Sequence, residues 1–591
     1  MTDYAAFGGR EDSLAPSIAP EEPQLIVPPA LRRTIIRVFN KQYGLTLHAS
    51  AVAFIHSTLE SHGLLQDPTQ WNEAIQWLAK GPSIVTRAAL EKVYQQLLLE
   101  DTAQEVQGGE TQNGHSDAID PDKYFHPLDV FKMPKIVFDE RRKMFEKLPE
   151  SKKPSILAPP QAKPGYLAER LQIIRNIIMR NENFLPPLAS GSARDRDAFM
   201  KLTSTANLLG RQGQRFLLFG MLCTSSDGRY ALEDTDGMVG LDLDDALPGE
   251  GIFTEGSMIL VEGEYTAEER IRAFAIGHPP SESRETAKML CSGVDFNGLG
   301  SVTTQEEKAL RIHEQNHASL SFVFISELHL DDEKTLQNFG AMLQGYVDAD
   351  FLPFCFVLCG SFVSNQRSAT SIIERYQDAF VALGDLLVKF PSIMNRSHFV
   401  FVPSHEDPFG TTTLPRKPLP KIITEKFIQR IIRANHGNVS SARRIHFVSN
   451  PSRLVYFGQE IVVFRDDLLQ RLLGHTVRLK GDESVTAARD DATAAANVVD
   501  LKKFLVSTVL DQAHLCPLPG WARPILWEYD HTLRLYPMPS ALVLADKFQR
   551  YELTYEGCHV FNPSSFREGN FCWTTYYPAN GKAERSEIPY N

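Results

Sequence analysis

Three separated stretches share one design: a short apolar run that ends abruptly in small or charged residues. In SFVFISELHLDD (321–332) the run from Phe322 to Ile325 breaks into Glu327, Leu328, His329 and Asp331. In FCFVLCGSFVS (354–364) it breaks into Gly360 and Ser361, and in HFVFVPSHEDP (398–408) into Ser404, His405, Glu406 and Asp407. Runs this short and this apolar read as buried strands. Buried strands that release polar residues at their carboxyl ends are how an α/β sheet builds a site. After the first run, Leu336, Phe339, Leu343 and Tyr346 recur at the three-and-four spacing of a helix with one buried face.

At 591 residues the chain is too long for a single core, and three or four domains are expected. A net charge of −12 argues against a long grip on nucleic-acid backbone, which is usually the work of a basic surface. The 7 cysteines are scattered without zinc-knuckle spacing, which points to a reducing compartment. The polar, acidic start MTDYAAFGGREDSLAPSIAPEEPQ has no signal-peptide core. No apolar run approaches the roughly 18 residues that would span a bilayer. A soluble intracellular protein is expected.

In chain order, residues 1–25 read as a disordered tail and 26–104 as a small helical domain, with Gly63 and Gly81-Pro82 at helix stops. Residues 105–164 read as linker and extended segment; the Arg141-Arg142-Lys143 cluster within them has the composition of a nuclear signal, but so short a run reads rather as a solvated helix face. Residues 165–284 read as an OB-fold domain with a leading amphipathic helix. Its five strands lie in RFLLFGMLC (215–223), RYALED (229–234), MVGLDLD (238–244), SMILVEGEY (257–265) and IRAFAIGHPP (271–280). Its acidic residues, Asp242, Asp244, Asp245, Glu250, Glu255 and Glu262, favour a protein-facing barrel over a strand-binding one. Residues 285–591 alternate strand and helix before turning mostly to strand, with polar insertions at 411–445 and 481–498. The expected class is therefore multidomain α+β: a helical N-terminal domain, an OB-fold β-barrel, and a two-layer β-sandwich flanked by helices.

The three strand ends resemble the first three motifs of the calcineurin-like metallophosphoesterases. That family shows Asp-x-His, Gly-Asp, Gly-Asn-His-Asp/Glu, a lone His and Gly-His-x-His. It holds two divalent metals about 3.5–4 Å apart, whose repulsion a bridging carboxylate offsets. Here the motifs stand as Glu327-Leu328-His329, Gly360-Ser361 and Ser404-His405-Glu406. The resemblance puts His514 at the lone His. The last motif falls near Ala545 to Phe548, where Asp546 is present and no His-x-His is. Ser361 has a neutral hydroxyl where the bridging carboxylate belongs. These positions are expected to be degenerate, with no catalytic residue, no metal ligand and no cofactor. His329 and His405 read as hydrogen-bonded structural residues, Glu406-Asp407 as a turn, and Asp331-Asp332 as a helix N-cap.

A barrel followed by such a stripped domain resembles the B subunits of replicative DNA polymerases, and among them the epsilon branch. The strings that carry this are FGMLCTSSDGRYALEDTDGMVGLDL (219–243), FVFVPSHEDPF (399–409), FVSNPSRLVYFGQEIVVFRDDLL (447–469), HLCPLP (514–519) and YPMPSALVLADKF (536–548). The resemblance implies a noncatalytic accessory subunit in the nucleus. Its barrel and phosphoesterase-like domain would dock the C-terminal zinc module of the catalytic subunit. Its N-terminal helical domain would contact the GINS part of the replicative helicase. Small histone-fold subunits would share the complex, with DNA contact weak or indirect and no membrane contact. A working two-metal phosphodiesterase or nuclease, and a B subunit of polymerase alpha or delta, are the alternatives.

Overall fold

The computed structural model describes residues 46–47, 52, 55, 84–85, 120–184, 200–291, 293–364, 371–408, 412–435, 439–480 and 499–588. The chain divides into two compact units, 1–118 and 119–591. In the first unit Thr46–Leu47 pairs in parallel with Ile84–Val85, and Val52 and Ile55 are helical and buried. The tail 1–25, most of the helical reading of 26–104 and the insertion 481–498 lie outside the described residues.

The second unit departs from the sequence reading at its start. Phe125–Asp129, inside the stretch read as linker, is a strand that pairs antiparallel with Ser452–Tyr456. Ile136–Asp139 and Met144–Lys147 then form a hairpin. The Arg141-Arg142-Lys143 cluster is its turn and not a helix face, because Asp139 Oδ1 accepts the backbone N–H groups of Arg141 and Arg142.

Helix Ala162–Arg180 buries Leu171, Ile174, Ile177 and Ile178 and leads into the barrel. Arg215–Thr224, Tyr230–Glu233, Met238–Asp242, Arg270–Gly277 and Met258–Tyr265 pair in that order, and the last returns to the first. The ring closes where Gly240–Asp242 meets Arg270–Arg272 in parallel. Closure removes the exposed edges that an open sheet of short strands would leave. Alternate side chains, among them Leu218, Leu222, Leu232, Leu241, Ile259 and Ile271, fill the interior, joined by Val477 and Leu479 from the later part of the chain.

The remainder is two six-stranded sheets packed face to face. One runs Ile445–Phe447, His398–Val402, Cys355–Cys359, Phe322–Ser326, Trp573–Tyr577, Lys582–Ser586; its first four strands are parallel. The other runs Tyr551–Tyr555, Cys558–Asn562, Ala541–Leu544, Gln459–Phe464, Ser452–Tyr456, Phe125–Asp129, with Gln459–Phe464, Ala541–Leu544 and Cys558–Asn562 parallel. Both faces of the inner strands are buried, which is why they read as unbroken apolar runs. Phe322, Phe324, Val357, Val400, Ile461, Val463 and Val543 fill the space between the sheets. Val323, Ile325, Phe356, Leu358 and Phe401 face outward onto Phe339, Leu343, Phe380, Leu383 and Phe427 of the covering helices.

Phe427 corrects the reading of 411–445 as a polar insertion. The segment contains helix Lys421–Ala434, which buries Ile423, Phe427 and Ile431 on the sandwich. The apolar residues at helical spacing, Ile423, Phe427 and Ile431, decide its position, with charged residues interspersed among them.

The barrel is tied to the sandwich through helix Val499–Asp511 and the turn after it: Thr508 Oγ1 accepts from Ile252 N (2.8 Å), and Gln512 brackets the backbone of Met258 (2.7 Å each way). Asp511 ends that helix, buried, accepting hydrogen bonds from Ser281 and from Tyr555 (2.9 Å). Burial pushes its pKa up to about 7 against those two bonds, with Glu556 and Glu250 adding to the rise. A carboxyl raised in the folded state binds more protons than the unfolded chain between about pH 4 and 7. Its contribution is therefore present at low pH and is lost as pH rises through about 7. Asp511→Asn, which keeps an acceptor for both hydroxyls, should stabilise the unit by about 1–3 kcal/mol at pH 8 and by much less at pH 5. Urea unfolding at the two pH values checks this; equal effects at both would refute it.

Candidate functional site

The carboxyl ends of five parallel strands from both sheets converge on one edge of the sandwich. Phe322–Ser326 delivers Glu327, Cys355–Cys359 delivers Gly360 and Ser361, and His398–Val402 delivers Ser404 to Asp407. From the second sheet, Gln459–Phe464 delivers Arg465, Asp466 and Asp467, and Ala541–Leu544 delivers Asp546 and Lys547.

Arg465 is fully buried at the centre. Its Nε donates to Gly360 O (2.6 Å), Nη1 to Asp467 Oδ1 (2.8 Å) and Ala545 O (3.1 Å), and Nη2 to Glu327 Oε1 (3.1 Å). The guanidinium thus spends its donors on both sheets at once. Burial alone would weaken its hold on its proton, but Asp467 and Glu327 outweigh that and push its pKa above the ordinary range. Lys547 is the second cation. Its Nζ lies 3.3 Å from Glu327 Oε1, 3.2 Å from Glu406 Oε1 and 3.8 Å from Asp467 Oδ2. Burial pulls Lys547 down, yet the three carboxylates raise it overall. Burial opposes ionisation of Asp467 and Glu406, and both are nonetheless held below the usual carboxylate range. Arg465 does most of this for Asp467; Ser361 and Lys547 do it for Glu406.

Ser361 Oγ donates to Glu406 Oε2 (2.8 Å) and lies 2.9 Å from Ser404 Oγ. Two hydroxyls and one carboxylate therefore meet where two strands end. Asp407 is more than a turn residue. It accepts from Phe362 N (2.9 Å), Tyr376 OH (2.7 Å) and Ser404 N (2.6 Å), and so ties three segments together. Asp331 likewise does not cap the following helix. It accepts from Ser364 N (2.8 Å) and Oγ (2.6 Å) and pairs with Arg375 (3.0 Å). Asp332 stands at the N-cap without a side-chain capping bond and accepts from Thr335 Oγ1 instead.

The histidines separate. His405 sits at the cluster, with Nδ1 3.5 Å from Asp466 and Nε2 3.6 Å from Asp467 and 3.9 Å from Glu406. Burial holds it below its ordinary pKa in spite of both aspartates. Both His405 and His329 are expected to be hydrogen-bonded, yet the buried Nδ1 of each has no hydrogen-bond partner among the described residues. His514 is engaged elsewhere, facing Asp530 at 3.4 Å and accepting from Cys516 N, with Arg170 of the leading helix on the same aspartate. Asp546 accepts from Leu469 N (2.9 Å) and Phe548 N (3.0 Å); burial raises it to about 6.

His405, Glu406 and Asp467 each offer a ligand atom within 4.8 Å of the others. That trio has the right donor chemistry for one transition metal. It fits a two-metal centre poorly, because Ser361 supplies no bridging charge and Arg465 and Lys547 already pair with the carboxylates. The sequence reading had no role for Arg465, Asp466, Asp467 or Lys547. Their signal was the same one that found the others: IVVF before RDD and ALVL before ADK are apolar runs ending in charge.

A closed barrel joined to a sandwich of this kind is matched by two family models. Residues 322–553 match the B subunit of DNA polymerases alpha and epsilon, and residues 160–280 match the OB-fold domain of proteins like DNA polymerase epsilon subunit 2. The chain is 32% identical over 578 residues to the DNA polymerase epsilon B subunit of Schizosaccharomyces pombe, covering 94% of this chain and 95% of that one. It is 29% identical over 573 residues to DNA polymerase epsilon subunit 2 of Mus musculus, covering 95% and 99%. With the Arabidopsis thaliana DNA polymerase epsilon B subunit the identity is 31% over 462 residues, covering 78% and 82%. The chain belongs to the family of DNA polymerase epsilon B subunits.

Proposed function

We propose that this chain is a noncatalytic accessory subunit of nuclear DNA polymerase epsilon, acting in DNA replication as a scaffold. The observation that carries the reading is the strand-end cluster, where two side-chain cations pair with the carboxylates of a phosphoesterase-like sandwich. Hydrolysis on that scaffold needs open cation positions and a bridging carboxylate; here Ser361, Arg465 and Lys547 stand in the way. In this reading 165–284 and 285–591 together hold the C-terminal zinc module of the catalytic subunit. Residues 26–104, carried on the 105–122 linker, reach the GINS part of the helicase, and small histone-fold subunits complete the assembly. A tether of this kind raises effective concentration without fixed geometry. The barrel's exposed acids, among them Asp242, Asp244 and Glu262, favour protein over DNA as its partner.

The test is co-purification of the full chain with the C-terminal region of the catalytic subunit, alongside a manganese-dependent phosphodiester assay. A stoichiometric complex that persists on deleting residues 1–104, with no turnover above a buffer blank, is expected. Turnover lost in His405→Ala would favour the phosphodiesterase reading, to which the His405, Glu406 and Asp467 trio lends its donors. No capture of the catalytic subunit would overturn the scaffold.

A further inference from the structure

Lys547 and the candidate metal trio claim the same oxygens. Its ammonium pairs with Glu406 Oε1 and Asp467 Oδ2, and these two residues with His405 are the only described side chains that bring three ligand atoms within 4.8 Å. A divalent ion sits about 2.0–2.2 Å from its ligand atoms. An ion on Glu406 and Asp467 would therefore lie close to Nζ, and like charges at that separation repel. Arg465 closes the opposite side by holding Asp467 Oδ1 and Glu327 Oε1. Ser361 adds a hydroxyl to Glu406 and no charge.

We infer that Lys547 is a resident counter-ion standing where a divalent cation would stand, and that it closes a latent one-metal site made by His405, Glu406 and Asp467. The centre is thus internally filled rather than merely stripped of ligands. Glu406 and Asp467 hold Lys547, and Glu327 holds both Arg465 and Lys547. The inference rests on reading 285–591 as a phosphoesterase-like scaffold without turnover. It adds which residue keeps metal out. The ligand class is a borderline divalent transition ion such as Mn²⁺ or Zn²⁺, since one imidazole and two carboxylates suit those ions.

The experiment titrates the purified full chain with Mn²⁺ at neutral pH and follows the free-ion signal by electron paramagnetic resonance. The wild type should show no stoichiometric uptake. Lys547→Ala should bind one Mn²⁺ per chain, at least about tenfold tighter than the wild type, because a like charge a few ångströms from the ion has been removed. Lys547→Gln, which keeps the bulk and loses the charge, should gain binding too and serves if the alanine variant fails to fold. Adding His405→Ala to either should abolish the gain. Stoichiometric uptake by the wild type that disappears in His405→Ala would overturn the inference. So would folded Lys547→Ala and Lys547→Gln proteins that bind no better than wild type. Ester turnover by the wild type would instead overturn the noncatalytic reading. A variant that still captures the catalytic subunit yet takes up no Mn²⁺ refutes only the role of Lys547 as counter-ion.

Discussion

Replacing Arg465 by methionine should destabilise the sandwich by about 3–5 kcal/mol, the usual consequence of removing one partner from a buried ion pair. The methionine fills a similar volume, so lost packing contributes little. What remains is Glu327 and Asp467 without their guanidinium, and the carbonyls of Gly360 and Ala545 without their donors. Lys547 reaches both carboxylates, but from 3.3 and 3.8 Å and from the partly exposed side. Urea unfolding monitored by tryptophan fluorescence measures the change, and Lys547→Met should lose far less because exposed pairs are worth about 0–1 kcal/mol. A midpoint for Arg465→Met equal to that of Lys547→Met would contradict the central placement of the guanidinium.

The second large effect is expected at Gly360. A Cβ there would collide with Asp407 Oδ2 and lie 2.8 Å from Ser404 N. Asp407 is unable to retreat cheaply, since it holds Phe362 N, Tyr376 OH and Ser404 N. Gly360→Ala should therefore cost about 2–4 kcal/mol through overpacking and broken buried hydrogen bonds. Ser361→Ala next door removes only a hydroxyl and should cost about 1 kcal/mol. Thermal unfolding of the two variants side by side separates them, and equal losses would show that the strand end relaxes around the added methyl.

Why the neighbours of Gly360 were only half legible in the sequence follows from geometry. Strands buried on both faces announce themselves as apolar runs, so Phe322–Ser326, Cys355–Cys359 and His398–Val402 were readable with their terminal residues. The barrel strands were readable by alternation and turns. Which strand ends meet is decided by how two sheets stack, and that lies in no local pattern. Arg465 and Lys547 stand 138 and 220 positions after Glu327, so their pairing with it was invisible. His514, placed by motif order, went to Asp530 and Arg170 instead. Lys421–Ala434 was hidden by the charged residues interspersed among its apolar ones, and Phe125–Asp129 by the proline and charges around it.

The pairing of Phe125–Asp129 with Ser452–Tyr456 bears on how the chain is made. On a ribosome the earlier strand emerges roughly 330 residues before its mate, a wait of about 15–70 s at 5–20 residues per second. Through that interval the barrel's own strands are all made, but Val477 and Leu479, which complete its interior, are not, and the edge of the second sheet stays unfinished. Nascent chains arrested before Tyr456 should accordingly be cleaved by protease faster than the finished chain, and they are the species on which a chaperone would act.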